Sequence, residues 1–294
     1  MFTQSIAKVS GFTRPVHSIL RTYGGKQLVP AAGTLFFVNE NACAITCKHV
    51  IEAILDGDNK NKKFREFKEE RNKIPQDGKY KKSLAGLELK YHYDESSIIQ
   101  MKTTFLDCID QMESFTCDVH PAYDLGIIRF NGYNKTLYNG YATFLKDGSS
   151  IKQGNSLCRL GFPFPEFNNF RYNETADDIE WTKDGMHGSP IFPLDGMATR
   201  FLGDAKGIHG IELSTPGLRG QSGGPLFNQN GTVYGMQSST KHLHLGFDMM
   251  DKEIMINNKP KKVTDYSFIH LGQCVHVNVI KDFLREKNIK FYEE

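Results

Sequence analysis

The sequence predicts an all-β protein of sandwich or barrel type, with one helix at its C-terminus, and three observations carry that expectation. First, short β-rich runs recur between turn residues, at "TLFFV", "CAITC", "YDLGIIRF", "SLCRLGFPFP", "GIHGIELS", "GPLF" and "TVYGMQSS". That rhythm suits antiparallel strands and not a βαβ series. Second, "TLFFV" and "CAITC" flank the polar "NENA", a hairpin signature. Third, only "VNVIKDFLREKNI" keeps helical spacing over any length, with Ile280, Phe283 and Leu284 on one face.

Each segment follows in order. The opening "MFTQSIAKVSGFTRP" has no basic stretch followed by an apolar run, so no secretory signal is expected. No run approaches the length of a membrane span. After the first hairpin, "KHVIEAIL" suits a short helical turn with Val50, Ile51 and Ile54 on one side. Residues 58–82 hold ten Lys/Arg and five Asp/Glu, a local charge of +5 against +2 for the whole chain. They read as a solvated insertion, with a docking arm for an acidic partner as the sharper reading and Phe64 and Phe67 as its anchors. The long segment 168–206 reads as a surface excursion or a loop over a cleft. No internal repeat or low-complexity linker suggests a tethered second domain.

With 294 residues, 39% apolar and 24% charged, the chain can bury a proper core. Its small net charge gives no reason to expect nucleic acid or membrane as a partner. Cys43 and Cys47, four apart on one strand, would lie roughly 13 Å apart, too far for a bridge. The other cysteines (Cys108, Cys117, Cys158, Cys274) form no regular framework. Reduced thiols in a cytoplasmic protein are the expectation.

The chemistry concentrates in "LRGQSGGPLF", residues 218–227. A serine among glycines is ordinary loop chemistry unless a base and an acid accompany it. His49 stands at the end of the strand "CAITC", and Asp124 opens the strand "DLGIIRF". A neutral hydroxyl needs a base to take its proton on attack; His49 would be that base and Asp124 would hold its tautomer. Gly220 and Gly223 let the backbone turn sharply, aiming the Gly220 and Ser222 N–H groups at a developing oxyanion.

"GQSGG" also fits the nucleophile elbow of α/β-hydrolases, but that fold needs a helix after the serine and its acid and histidine later in the chain. Here Pro225 and "NQNG" follow, which suit a hairpin. Metal readings at "HLH" (His242, His244) and "CDVH" (Cys117, His120) lack the fourfold spacing of a structural site, so neither metal nor cofactor is expected.

These motifs resemble the trypsin/chymotrypsin superfamily of serine peptidases, especially plain bacterial and HtrA-like catalytic cores without a PDZ module. "ITCKHV" is similar to the family's histidine motif, "YDLGIIRF" to its acid motif, "GQSGGPLFNQNGTVYGMQS" to its nucleophile motif, and "GFPFP" to a turn between the last two. The resemblance implies two six-stranded antiparallel β-barrels within one domain, about 12–135 and about 136–294. It implies a serine endopeptidase acting on protein or peptide through His49, Asp124 and Ser222, with Ser238 supporting the acid. It places a substrate pocket at Thr215, Pro216, Gln237, Ser239 and Thr240. Val50 stands where many members carry a cysteine, and no acid stands where trypsin-like enzymes keep one. The position before the nucleophile is Gln221, not the Asp that receives a liberated N-terminus in zymogens. A binding module that has kept the fold and lost turnover is the alternative.

Overall fold

The computed structural model describes residues 2–205 and 207–294. Helix α1 (Thr3–Ser10) precedes a six-stranded antiparallel sheet of β1 (Thr13–Thr22), β2 (Leu28–Phe37), β3 (Cys43–Thr46), β4 (Ile98–Phe105), β5 (Ser114–Val119) and β6 (Gly126–Asn131). Their spatial order is β4-β1-β2-β3-β6-β5. Between β3 and β4 run helices α2 (Lys48–Asn72) and α3 (Tyr80–Tyr91).

The second half contains β7 (Thr143–Phe144), β8 (Ser156–Gly161), the hairpin β9 (Phe170–Asn173) and β10 (Asp178–Trp181), β11 (Phe192–Asp204), β12 (Gly207–Leu213), β13 (Pro225–Phe227) and β14 (Val233–His244). The arm β15 (Met249–Ile256) and β16 (Lys259–Asp265) follows, then β17 (Phe268–His276), α4 (Val277–Glu286) and β18 (Tyr292–Glu293). Eight strands form its main sheet, in the order β13-β8-β11-β12-β17-β14-β7-β18, and β13 also pairs with β14. That extra pairing joins six of the eight into a ring. In the first half, no ladder joins β4 to β5 among the described residues. Of the two expected six-stranded barrels, the second half therefore closes a six-stranded ring extended by β7 and β18, while the ladders of the first half form an open six-stranded sheet.

One core runs through both halves. Leu35, Phe36 and Ile45 of the first sheet share a fully buried cluster with Leu160, Ile211 and Leu226 of the second and Ile280 of α4. Each such side chain contributes about 1.5–3 kcal/mol by leaving water. Where the two sheets meet, the candidate residues His49, Asp124 and Ser222 gather.

The expectation of an all-β chain needs correction. The protein is mostly β, yet the short turn foreseen at residues 48–55 is the start of a 25-residue helix, α2, which absorbs the first part of the supposed insertion 58–82. Val50, Ile54, Gly57, Phe64 and Phe67 are buried at helical spacing along it, a face hidden in the sequence by the charges on the other. Asn61 donates to the Met101 carbonyl (2.6 Å) and accepts the Met101 N–H (3.0 Å), so α2 satisfies the edge of β4. Phe64 and Phe67 lie in a second core cluster with Leu87, Tyr91 and Ile99. They are not anchors for a partner.

Segment 168–206 is likewise not a free loop, apart from Lys206, which lies outside the described residues. It holds β9, β10 and β11. Phe167 and Ile179 pack on Ile19 of β1, and Asp177 accepts from Arg21 (2.8 Å) and from Arg71 of α2 (2.9 Å).

Candidate active site

Strand β3 delivers His49 to the first turn of α2, whose N-cap is Cys47, a residue that offers no capping bond. The missing cap comes from 75 residues away: the Asp124 carboxylate accepts the His49 N–H at 3.0 Å. A carboxylate suits this place because the helix start leaves orphan N–H groups and a partial positive charge. The same carboxylate lies 2.8 and 3.0 Å from His49 Nδ1 and accepts the Ser238 hydroxyl at 2.7 Å. A carboxylate only accepts, so Nδ1 carries the proton and Nε2 presents a lone pair.

These contacts set the electrostatics. The hydrogen bond to Asp124 raises the His49 pKa above its ordinary value, against the opposing effect of burial. Burial would push Asp124 up, but the bonds from His49 and Ser238 win and hold it at about 2. Beneath them Cys47 is fully buried, its thiol donating to the Gln237 carbonyl at 3.2 Å. Burial drives that thiol well above its usual range.

The serine loop is shaped by backbone. Gly220 and Gly223 have φ of +91° and +89°, and a Cβ at either would collide with backbone, at the Phe162 and Thr34 carbonyls respectively. Thr34 clamps the loop from β2: its hydroxyl donates to the Gly220 carbonyl (2.7 Å) and its N–H to the Ser222 carbonyl (3.0 Å). Among the described residues, the Gly220 and Ser222 N–H groups have no internal acceptor. Gln221 is fully buried; its side chain accepts the Leu218 N–H and donates to the Phe192 carbonyl, both at 3.1 Å. Thr34 carried no signal in the sequence, because its role depends on strand register.

The Ser222 hydroxyl donates to the Ser238 carbonyl at 3.3 Å, and no hydrogen bond joins it to His49 among the described residues. Two cavities meet at this serine. The first, about 340 Å³, includes His49, Gly220 and Ser222 and is otherwise walled mainly by apolar groups: Val16, Leu20, Val50, Ala53, Ile54 and Met101. The second, about 470 Å³, is lined by Pro216 to Arg219, Ser222, Gln237 to Thr240, His242 and His270. Of the residues expected to bind substrate, Pro216, Gln237, Ser239 and Thr240 line it. Thr215 does not; its hydroxyl is held by Arg159 (2.6 Å) and the Asp195 carbonyl (2.9 Å). Sequence reasoning missed Arg159, Arg219 and His270.

For a metal, Cys47, His49 and Asp124 place one ligand atom each within 4.8 Å of one another. The set suits an ion poorly: His49 Nδ1 and Asp124 already satisfy each other, and the thiol is held protonated. Among the described residues, neither "HLH" nor "CDVH" belongs to a three-ligand group. No described helix is long and apolar enough to cross a membrane.

Solved structures similar to the chain include the Rv3671c protease of M. tuberculosis in its active form, with 12% identity and a TM-score of 0.48 over 98% of this chain and 86% of that one. The HtrA-type protease AlgW with tripeptide matches at 11% identity and a TM-score of 0.48 over 97% of this chain, which spans 62% of AlgW. Curated proteins yield no match. The sequence pattern of the trypsin-like peptidase domain matches residues 33–236, more than half of the chain, which therefore belongs to that family.

Proposed function

We propose that the protein is a serine endopeptidase, with Ser222 as nucleophile, His49 as general base and Asp124 as its orienting acid. The observation that carries this reading is the fixed imidazole. Asp124 and Ser238 leave Nε2 as the open basic atom of a side chain that lines the same cavity as Ser222. Ser222 Oγ bonds to the substrate carbonyl carbon while its proton passes to His49 Nε2. The carbonyl oxygen becomes an oxyanion that accepts from the Gly220 and Ser222 N–H groups. Collapse breaks the C–N bond, His49 gives its proton to the leaving amine, and water then hydrolyses the acyl-serine by the same route. Attack requires Ser222 to rotate from the Ser238 carbonyl towards His49, and such bonds often tighten only with substrate bound.

The resting direction of the Ser222 hydroxyl favours a second reading, a peptide-binding module of peptidase fold without turnover. Kinetics separate the two. Ser222→Ala and His49→Ala should each lower peptide turnover by about 10⁴- to 10⁶-fold, and the double variant should be hardly worse. Additive losses, or a wild type no faster than the variants, would contradict the endopeptidase reading.

Six free cysteines, five of them buried, support a reducing, cytoplasmic setting for this activity. The exposed cations of α2 support an acidic partner only without Phe64 and Phe67, and Arg71 is already paired.

A further inference from the structure

The cavity lined by Arg219, His242 and His270 has no part in the bond-breaking steps above, yet it opens on the same serine. Which half of a substrate it would receive follows from the chemistry. The leaving amine must take its proton from His49, so the cavity that contains His49 holds the leaving half. The other, sharing Ser222 and lacking His49, holds the side chain of the residue whose carbonyl is attacked. We propose that this side chain is acidic, an aspartate or glutamate, and that the protein cuts after it; this rests on the endopeptidase reading.

Charge carries the proposal. None of the residues lining this cavity is Asp or Glu. Arg219 stands between this cavity and the first, lining both, and among the described residues has no ion pair or hydrogen bond. Behind the wall lies Arg159, fully buried. Its guanidinium donates to Gln237 Oε1 (2.8 Å) and to the Thr215 carbonyl (3.1 Å) and hydroxyl (2.6 Å), while Nε has no partner. No carboxylate lies within ion-pair distance of it among the described residues. A buried cation with no carboxylate in contact, Asp195 acting on it only from beyond ion-pair distance, is costly, and its field is little screened where it emerges. It emerges through Gln237, whose side chain bridges Arg159 and the Ser239 carbonyl and lines the cavity.

The two histidines complete the site. His242 on β14 faces His270 on β17 directly across the ladder, with their Nδ1 atoms 2.5 Å apart. One proton lies between those atoms, so the neutral pair presents one Nε2–H donor. A carboxylate entering the cavity therefore meets charge-assisted donors and supplies the negative charge this wall lacks. A lysine or arginine there would meet Arg219 with no carboxylate to pair with. A glutamine would bond without relieving the charge.

The test uses uncleaved peptides on full-length Ser222→Ala, identical except for Glu, Asp, Gln, Leu or Lys before the scissile bond, with affinity read by fluorescence anisotropy at low and high salt. The Glu and Asp peptides should bind about tenfold more tightly than Gln, with Lys weakest, and the margin should shrink as salt rises. Arg219→Gln, an exposed change that does not threaten the fold, should cut the Glu-to-Gln ratio by about threefold. His270→Gln should act in the same direction. Equal binding of Glu and Gln, or tighter binding of Lys, would overturn the proposal. Turnover of the same peptides by the wild type separates the two readings. Cleavage with no acidic preference overturns this proposal and leaves the peptidase standing. Selective binding without any cleavage supports the acidic site and removes the peptidase.

Discussion

His49 and Asp124 depend on each other, and their titration gives a sign that can be checked. In the proposed mechanism turnover needs neutral His49, whose pKa Asp124 raises. Activity should therefore fall with decreasing pH through a midpoint above about 6.5, the ordinary imidazole value. Asp124→Asn should move that midpoint down and lower kcat by about 10⁴-fold, read from pH–rate profiles. A midpoint unmoved by the substitution would mean that another group controls the rate. Stability follows the same shifts in opposite windows. The His49 contribution is present below its unfolded value and lost as pH rises through the raised folded one. The Asp124 contribution is present above about 3.9 and lost as pH falls towards about 2.

At the scale of elements, α2 both presents His49 and walls one cavity with Val50, Ala53 and Ile54. Its far end is held by Phe67, fully buried and edge-on to Tyr23 and Tyr91. Phe67→Ala should cost about 3–5 kcal/mol, measured by chemical denaturation, because a large cavity opens under the helix. A loss below about 1 kcal/mol would place that stretch of α2 outside the cooperative fold. This helix also shows where sequence reading stops. The "GQSGG" loop was legible because Gly220 and Gly223 answer a local backbone demand, and the C-terminal helix because its apolar face is unbroken. In α2 the buried positions are diluted by charges and interrupted by Gly57 and Asn61, which look like breakers until β4 lies against them. His270 was beyond reach for another reason: it meets His242 through strand register, across the intervening arm β15–β16.

At the scale of the whole molecule, the candidate site lies where two sheets share one core, and its serine loop is held from both sides. Thr34 of the first half fixes the carbonyls, and Gln221 is satisfied within the second half. Gln221 leaves no buried charge waiting for a liberated amine, and a neutral amide would not balance one. Helix α1 is itself part of the packing, with Val9 buried and Phe2 edge-on to Phe227. A tag before Met1 should therefore leave the site competent, whereas trimming to Gly11 should lower stability and reactivity. Reactivity that appears only after trimming, and is abolished by blocking the new amine, would contradict this account of Gln221.

The central claim is that Ser222 is a nucleophile activated by His49, and covalent labelling with a fluorophosphonate, followed by intact mass and peptide mapping, tests it most directly. The folded full-length protein should gain one adduct, located at Ser222, while Ser222→Ala gains none and His49→Ala reacts far more slowly. A folded wild type that stays unlabelled, or an adduct that persists in Ser222→Ala, would contradict it.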